Sequence, residues 1–325
     1  MTEVLLLSAA DVHAVFEVGI AIDSQRAAFT ALGRGEALLA PRALLPAGDD
    51  VAFCYVSRLP GTGPVAKFGS VNPGNAGRGL PSVSAMVTVL DEASGVPVAI
   101  IEGTSVTTLR TSAASAVAVD LLAPPGASRL ALIGCGVQGR AHVRAIAAVR
   151  GLSEVRLHSR TPGSAHALAA DLERELGVPM TVTADAREAV EGADIVATCT
   201  TSEKPVVRGA WLAPGATVIS VGSFSPEHSE VDAEALERAA AIVVDDVATA
   251  AEQAGPIVSA LRGGTLAEDR LIPLGEVAAG LATARRTPED VVFYNSVGLG
   301  VQDTAAAARI VALARERGAG TPVDL

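Results

Sequence analysis

Lysine is almost missing from this chain: of its 25 basic residues only Lys67 and Lys204 are lysines, and the rest are arginine. The two cations are not interchangeable, so an ammonium set in an apolar stretch such as Ala66-Lys67-Phe68 is a pointed choice. Cysteine is scarce as well. Cys54, Cys135 and Cys199 lie far apart with no CxxC, which excludes a disulfide framework and a cysteine zinc site. His13, His142, His158, His166 and His228 lack metal-ligand spacing, so no metal is expected. No apolar run approaches the roughly 20 residues of a membrane span. The opening MTEVLLLSAADVHAVF has Glu3 where a signal peptide is basic, and no Lys or Arg precedes Arg26. Basic charge is in deficit, 25 residues against 36 acidic ones for a net charge of -11, which argues against nucleic acid or an anionic membrane as partner. The expectation is a soluble, cytoplasmic protein.

What is present is a globular composition, 49% apolar and 19% charged, over 325 residues, enough for two domains. Ser8 to Asp11 reads as a helix start with Val12, Val15, Phe16 and Ile20 as an apolar stripe, and Asp23 as the cap of a second helix through Leu32. Short β-like runs follow at 51–56, 65–71, 83–90 and 96–101, the last two joined by a hairpin turn, Asp91 to Gly95. A helix over 107–123 ends at Pro124-Pro125-Gly126, the sharpest boundary in the chain. Beyond it strands and helices alternate, which predicts an α/β fold with a doubly wound parallel sheet. The expected division is an α+β domain over 1–124, completed by a tail over 295–325, and a Rossmann-type domain over 125–294.

Arg129 to Ile133 runs as a strand into Gly134-Cys135-Gly136-Val137-Gln138-Gly139, with a helix after it and a second strand some twenty residues on. GxGxxG alone is weak, but this context is that of a dinucleotide site. Gly134 permits the tight turn, Gly136 leaves room for a pyrophosphate at the positive end of the helix, and Gly139 lets helix and strand approach. The second strand ends in Ser159-Arg160-Thr161, with no acid until Asp171. Selection for NAD(H) places an acid there for the ribose 2′-hydroxyl, whereas a guanidinium and two hydroxyls suit a 2′-phosphate, so NADP(H) is favoured over NAD(H).

A nucleotide fold does not fix the reaction. Lys67, in a strand, is either a snorkelling surface residue or a desolvated amine for proton or carbonyl chemistry, and position alone favours the former. Arg110 opens a helix, where amides and a guanidinium fork suit a carboxylate or phosphate, though a surface arginine fits equally. Arg42 by itself says nothing. Asn72 to Gly79 is glycine-rich but lacks a following GK[ST], and reads as a connecting loop.

Taken in order, these segments resemble the ornithine cyclodeaminase and mu-crystallin family essentially end to end. The resemblance is carried by Lys67 through Asn75-Ala76-Gly77-Arg78-Gly79-Leu80-Pro81-Ser82, Asp91 to Gly95, Thr107-Thr108-Leu109-Arg110-Thr111-Ser112, and Gly134 to Gly139. Val221-Gly222 with Pro226 and Glu230, and Phe293 to Gly298, continue it. It implies a homodimer whose first domain supplies the dimer interface and the pocket for a small α-amino or α-imino acid. By this resemblance the carboxylate-binding arginines and pocket lysine fall on Arg42, Arg110 and Lys67, with Lys67 the catalytic residue. Cofactor contacts fall on Ser82, Arg110, Val137, Gln138, Ser159, Arg160, Thr161, Thr200, Val221 and Ser296, beside Gly134, Gly136 and Gly139.

Two departures matter. Cyclodeaminases and alanine dehydrogenases of the family carry an Asp where this chain has Phe224, and cyclodeaminases a Glu that aligns with Cys54. Proton removal from an ornithine ammonium wants an acid nearby, and Phe224 cannot supply one. Ser159-Arg160-Thr161 also resembles the NADPH-using ketimine reductases. The expected activity is therefore reduction of a C=N bond beside a carboxylate, in a substrate such as a cyclic ketimine. The rivals are ornithine cyclodeaminase, an amino-acid dehydrogenase and a non-catalytic dinucleotide-binding protein.

Overall fold

The computed structural model describes residues 3–325. The chain opens with β1 (Glu3–Leu7) and α1 (Ala9–Val15), where Ser8 and Asp11 cap each other's backbone amides. The following helix, α2, spans Val18–Gly33. Asp23 lies inside it rather than capping it, because burial of Ala21, Ile22, Ala28 and Phe29, not a side-chain cap, fixes where this helix runs. Then come β2 (Leu38–Leu39), β3 (Ala43–Ala47), β4 (Asp50–Arg58), β5 (Val65–Val71), β6 (Val83–Leu90), β7 (Pro97–Glu102) and the long α3 (Gly103–Leu122). From β4 to β7 consecutive strands pair antiparallel, and β7 pairs parallel with β1. The period of two sorts the side chains. Phe53, Val65, Lys67 and Val87 are buried on one face, while Val56, Phe68 and Met86 are exposed on the other.

The next stretch alternates strand and helix: β8 (Arg129–Ile133), α4 (Val137–Ala147), β9 (Glu154–His158), α5 (Pro162–Leu176), β10 (Met180–Val182), α6 (Ala186–Val190) and β11 (Ile195–Thr198). It continues through β12 (Thr217–Ser220), α7 (Ala233–Arg238), β13 (Ala239–Val244), α8 (Val247–Gln253), α9 (Gly255–Arg262), β14 (Leu271–Pro273), α10 (Leu274–Ala278) and β15 (Val291–Asn295). These eight strands form a parallel sheet in the order β10-β9-β8-β11-β12-β15-β13-β14. Strands β11, β12 and β15 are buried throughout, as strands covered on both faces must be. The order reverses between β8 and β11, the switch point at which open sheets of this Rossmann type bind ligands.

Finally α11 (Gly300–Arg317) leads to β16 (Thr321–Asp324), which pairs antiparallel with β1 and completes the first sheet. By compactness, residues up to Thr111 with Leu299–Leu325 form one unit and Ser112–Gly298 the other. That division falls within α3, ahead of Pro124-Pro125. The reason is that residues late in α3 bond within the second unit: Ser115 Oγ to His142 Nε2 at 2.9 Å, and the Val119 and Asp120 carbonyls to Arg150 at 3.0 and 2.9 Å. Among the described residues no helix is long and apolar enough to cross a membrane.

Candidate functional site

In the second unit the three motif glycines face different surroundings. Gly134 has φ +101°, and a Cβ there would meet the Cys199 carbonyl oxygen at 2.6 Å. Gly139 is tighter, its Cβ position 2.0 Å from the Gly134 carbonyl oxygen. Gly136 has nothing within 4 Å of that position, and it caps α4 without any side-chain hydrogen bond to the helix amides. Space and uncapped amides thus coincide at a helix N-terminus, where an anion is stabilised. The next residues present an exposed Val137 and a Gln138 whose buried Oε1 has no hydrogen-bond partner among the described residues. A dinucleotide pyrophosphate fits this cradle.

Ser159, Arg160 and Thr161 follow β9, the neighbour of β8. Arg160 is exposed. Asp171, the next acid along the chain, is occupied by Arg140 at 2.9 Å. Thr200 and Val221 follow β11 and β12, and Ser296 follows β15, so these residues share the carboxyl edge of one sheet. Two buried carboxylates set that edge. Glu230 accepts from Thr198 Oγ1, Thr200 N, Thr200 Oγ1, Ser220 Oγ and Gly222 N at 2.6–2.9 Å, tying the ends of β11 and β12 together. Asp245 accepts from Val297 N at 2.8 Å, Gly298 N at 2.6 Å, Ser296 Oγ at 3.3 Å and the Tyr294 hydroxyl, which fixes the turn after β15. In the sequence Glu230 is marked only as part of a motif, and Asp245 carries no local mark of its role. Their roles need the fold.

Ser82 and Arg110 belong to the first unit. There Lys67, 2% exposed, is no snorkelling lysine. Its Nζ donates to Thr107 Oγ1 at 2.6 Å, whose hydroxyl donates on to the Gly103 carbonyl at 2.6 Å. It also meets Asp303 Oδ1 at 3.2 Å. Arg110, 5% exposed, donates to Gln302 Oε1 at 3.1 Å and brings its Nε within 3.3 Å of the same Asp303 oxygen. Arg42 lies over the Tyr55 ring at 4.4 Å, and Tyr55 is the β4 residue opposite Lys67. Fold and register therefore gather Lys67, Arg110 and Arg42 around the stacked rings of Phe53 and Tyr55.

The electrostatics follow from this crowding. Burial pushes the Lys67 amine down to about 8; Asp303 opposes that, while Arg110 and Arg42 add to it. Burial raises the Tyr55 phenol, against the pull of Arg42 and Arg110. Two buried cations share one carboxylate, so the cluster carries excess positive charge and favours an anionic ligand. Asp303 and Gln302 were not foreseen: an acid on the first turn of a helix reads simply as a complement to the helix dipole.

At the two departures, Phe224 is exposed and stacked on His228, ring centroids 5.5 Å apart, with His228 Nδ1 2.5 Å from Ser225 Oγ. Cys54 pairs in register with Phe68, on the face of β4 opposite to Phe53 and Tyr55. Neither position supplies an acid, and Cys54 does not face Lys67.

The sequence model of the Ornithine cyclodeaminase/mu-crystallin family matches residues 3–318. A Delta(1)-pyrroline-2-carboxylate reductase of Bacillus cereus is 34% identical over 259 residues, 79% of this chain and 79% of that protein. An alanine dehydrogenase of Archaeoglobus fulgidus is 30% identical over 322 residues, 99% of this chain and 98% of that protein. Among solved structures, the Delta(1)-pyrroline-2-carboxylate reductase of Thermococcus litoralis, in complex with NADH and L-proline, aligns with a TM-score of 0.95. It is 31% identical and covers 98% of this chain and 100% of its own.

Proposed function

The chain belongs to the ornithine cyclodeaminase/mu-crystallin family, and from that we propose an NADPH-dependent oxidoreductase acting on the C=N or CH–NH bond of a small α-imino or α-amino acid. A cyclic ketimine carboxylate is the substrate we favour. The observation that carries this reading is the buried cluster of Lys67 and Arg110 around the single carboxylate of Asp303. A substrate carboxylate balances its excess positive charge, held by the planar forks of Arg110 and Arg42. The Lys67 amine, still largely protonated at pH 7, donates a proton to the nitrogen of the reduced bond. The hydride reaching the imine carbon comes from the reduced nicotinamide dinucleotide that the Gly134–Gly139 loop would hold.

The choice of NADPH is supported by the exposed Arg160 between Ser159 and Thr161, and by Asp171 being engaged elsewhere. Reduction, rather than cyclodeamination, is supported by Phe224, which leaves no acid at that departure. A homodimer is supported by the exposed apolar side chains Val56, Phe68 and Met86 on one face of the first sheet.

The test is NADPH consumption by the purified protein with pyrroline-2-carboxylate, piperideine-2-carboxylate, or pyruvate plus an amine. Net oxidation with any of these is expected. If none is turned over while ornithine yields ammonia without net NADPH loss, the protein is a cyclodeaminase and this reading fails.

A further inference from the structure

Asp303 is fully buried on the first turn of α11, and its two oxygens are used unequally. Oδ1 accepts a hydrogen bond from Lys67 Nζ at 3.2 Å and forms an ion pair with Arg110 Nε at 3.3 Å, while Oδ2, like that Nε, is buried with no hydrogen-bond partner among the described residues. A carboxylate kept only for stability would be satisfied at both oxygens, since a half-satisfied buried group is costly. We propose that Asp303 is a positioning residue, whose one oxygen holds the Lys67 amine and the Arg110 guanidinium side by side, both charged, for a shared anionic ligand. This rests on the reading above, in which the cluster grips a substrate carboxylate.

The argument is one of charge. Guanidinium cannot shed its proton, but a buried amine beside it can. The groups facing Lys67 are Asp303 on α11, Arg110 and Thr107 on α3, Arg42 ahead of β3, and Tyr55 on β4; its partner on β6 is the apolar Val87. Asp303 is the one acid among them. Without it, two arginines and burial all favour the neutral amine. The guanidinium is steadied from its other side by Gln302, whose Oε1 also accepts from Leu299 N at 2.7 Å.

The scarcity of lysine makes the test clean. Protein labelled with [13Cε]lysine gives two signals, and Lys204→Arg assigns them. Titration of the full-length protein, without substrate or dinucleotide, should place the Lys67 midpoint near 8. In Asp303→Asn the midpoint should fall by ~1 unit or more, the scale of one opposite charge at this range, and Asp303→Glu should recover most of it. Arg110→Gln leaves the carboxylate to the amine alone and should raise the midpoint, which keeps the test decisive should Asp303→Asn not fold. An unchanged midpoint in folded Asp303→Asn, or in Arg110→Gln, overturns the proposal. Because the signal is read without turnover, it stands or falls independently of whether an imine is ever reduced.

Discussion

Gly139 packs against Gly134 so closely that a Cβ on Gly139 would lie 2.0 Å from the Gly134 carbonyl oxygen. At Gly136, in the same loop, nothing lies within 4 Å. The fold therefore requires the first glycine, while the second is required only if a dinucleotide occupies the loop as proposed.

The contrast is measurable. Gly139→Ala should lose ~1–3 kcal/mol of stability, the range of overpacking in a tight contact. Gly136→Ala, at φ -81°, should unfold close to the wild-type temperature yet bind NADPH at least roughly 10-fold more weakly, because the methyl takes up space the pyrophosphate needs. Thermal unfolding and a fluorescence titration with NADPH distinguish them. Normal NADPH binding by Gly136→Ala would remove the dinucleotide from this loop.

Cofactor preference turns on Arg160. Arg160→Ala should weaken NADPH by ~10- to 100-fold, the value of a charge-assisted contact of about 1.5–3 kcal/mol, and leave NADH nearly unchanged. Competitive titration with both cofactors reads this directly. Equal losses would mean that Arg160 does not meet the 2′-phosphate.

The two cations of the buried cluster should fail differently. Arg110→Lys keeps a charge but loses the two-donor fork, so KM should rise and kcat fall together as the substrate loses its alignment. Lys67→Met removes the proton donor and should lower kcat by roughly 100-fold or more, with NADPH affinity little changed. In the wild type, kcat/KM should decline as pH rises through about 8, where the buried amine of the free protein loses its proton. Near-normal turnover by Lys67→Met would leave the lysine a binding group alone.

His142 predicts an acid sensitivity with a known sign. It is fully buried, and burial lowers its pKa to about 4, although the Gln138 carbonyl bonded to Nδ1 pulls the other way. The unfolded chain binds this proton first, near pH 6.5, so the neutral imidazole's contribution is present above that pH and is lost as pH falls toward 4. The loss amounts to about 3 kcal/mol. Urea unfolding at pH 7 and pH 4.5 should show a smaller drop for His142→Gln than for the wild type. Equal drops would show that this imidazole does not resist protonation.

How far the sequence reveals all this depends on where each signal lies. Strands β5, β6 and β8 coincide with the runs read at 65–71, 83–90 and 129–133, because turn residues flank them and apolar residues dominate them. The strand β1 passes unnoticed: Leu5, Leu6 and Leu7 gain meaning only beside β7, more than ninety residues on. Asp23 misleads because a cap residue inside a helix looks like a start. Lys67 stands out through the rarity of lysine, but its partner Asp303 is 236 residues away, and no local pattern marks their meeting. The glycine loop is local and readable; the buried charge cluster is made by tertiary contact.

The central claim is hydride delivery to a carbon beside a carboxylate, and isotope transfer tests it most directly. The protein would be incubated with NADPH carrying deuterium at the transferable position of the nicotinamide, and with pyrroline-2-carboxylate. The account predicts proline one mass unit heavier, with the deuterium on the α-carbon, and loss of that product in Lys67→Met. Proline without deuterium, or neither proline from this ketimine nor pipecolate from its six-membered homologue, would contradict it.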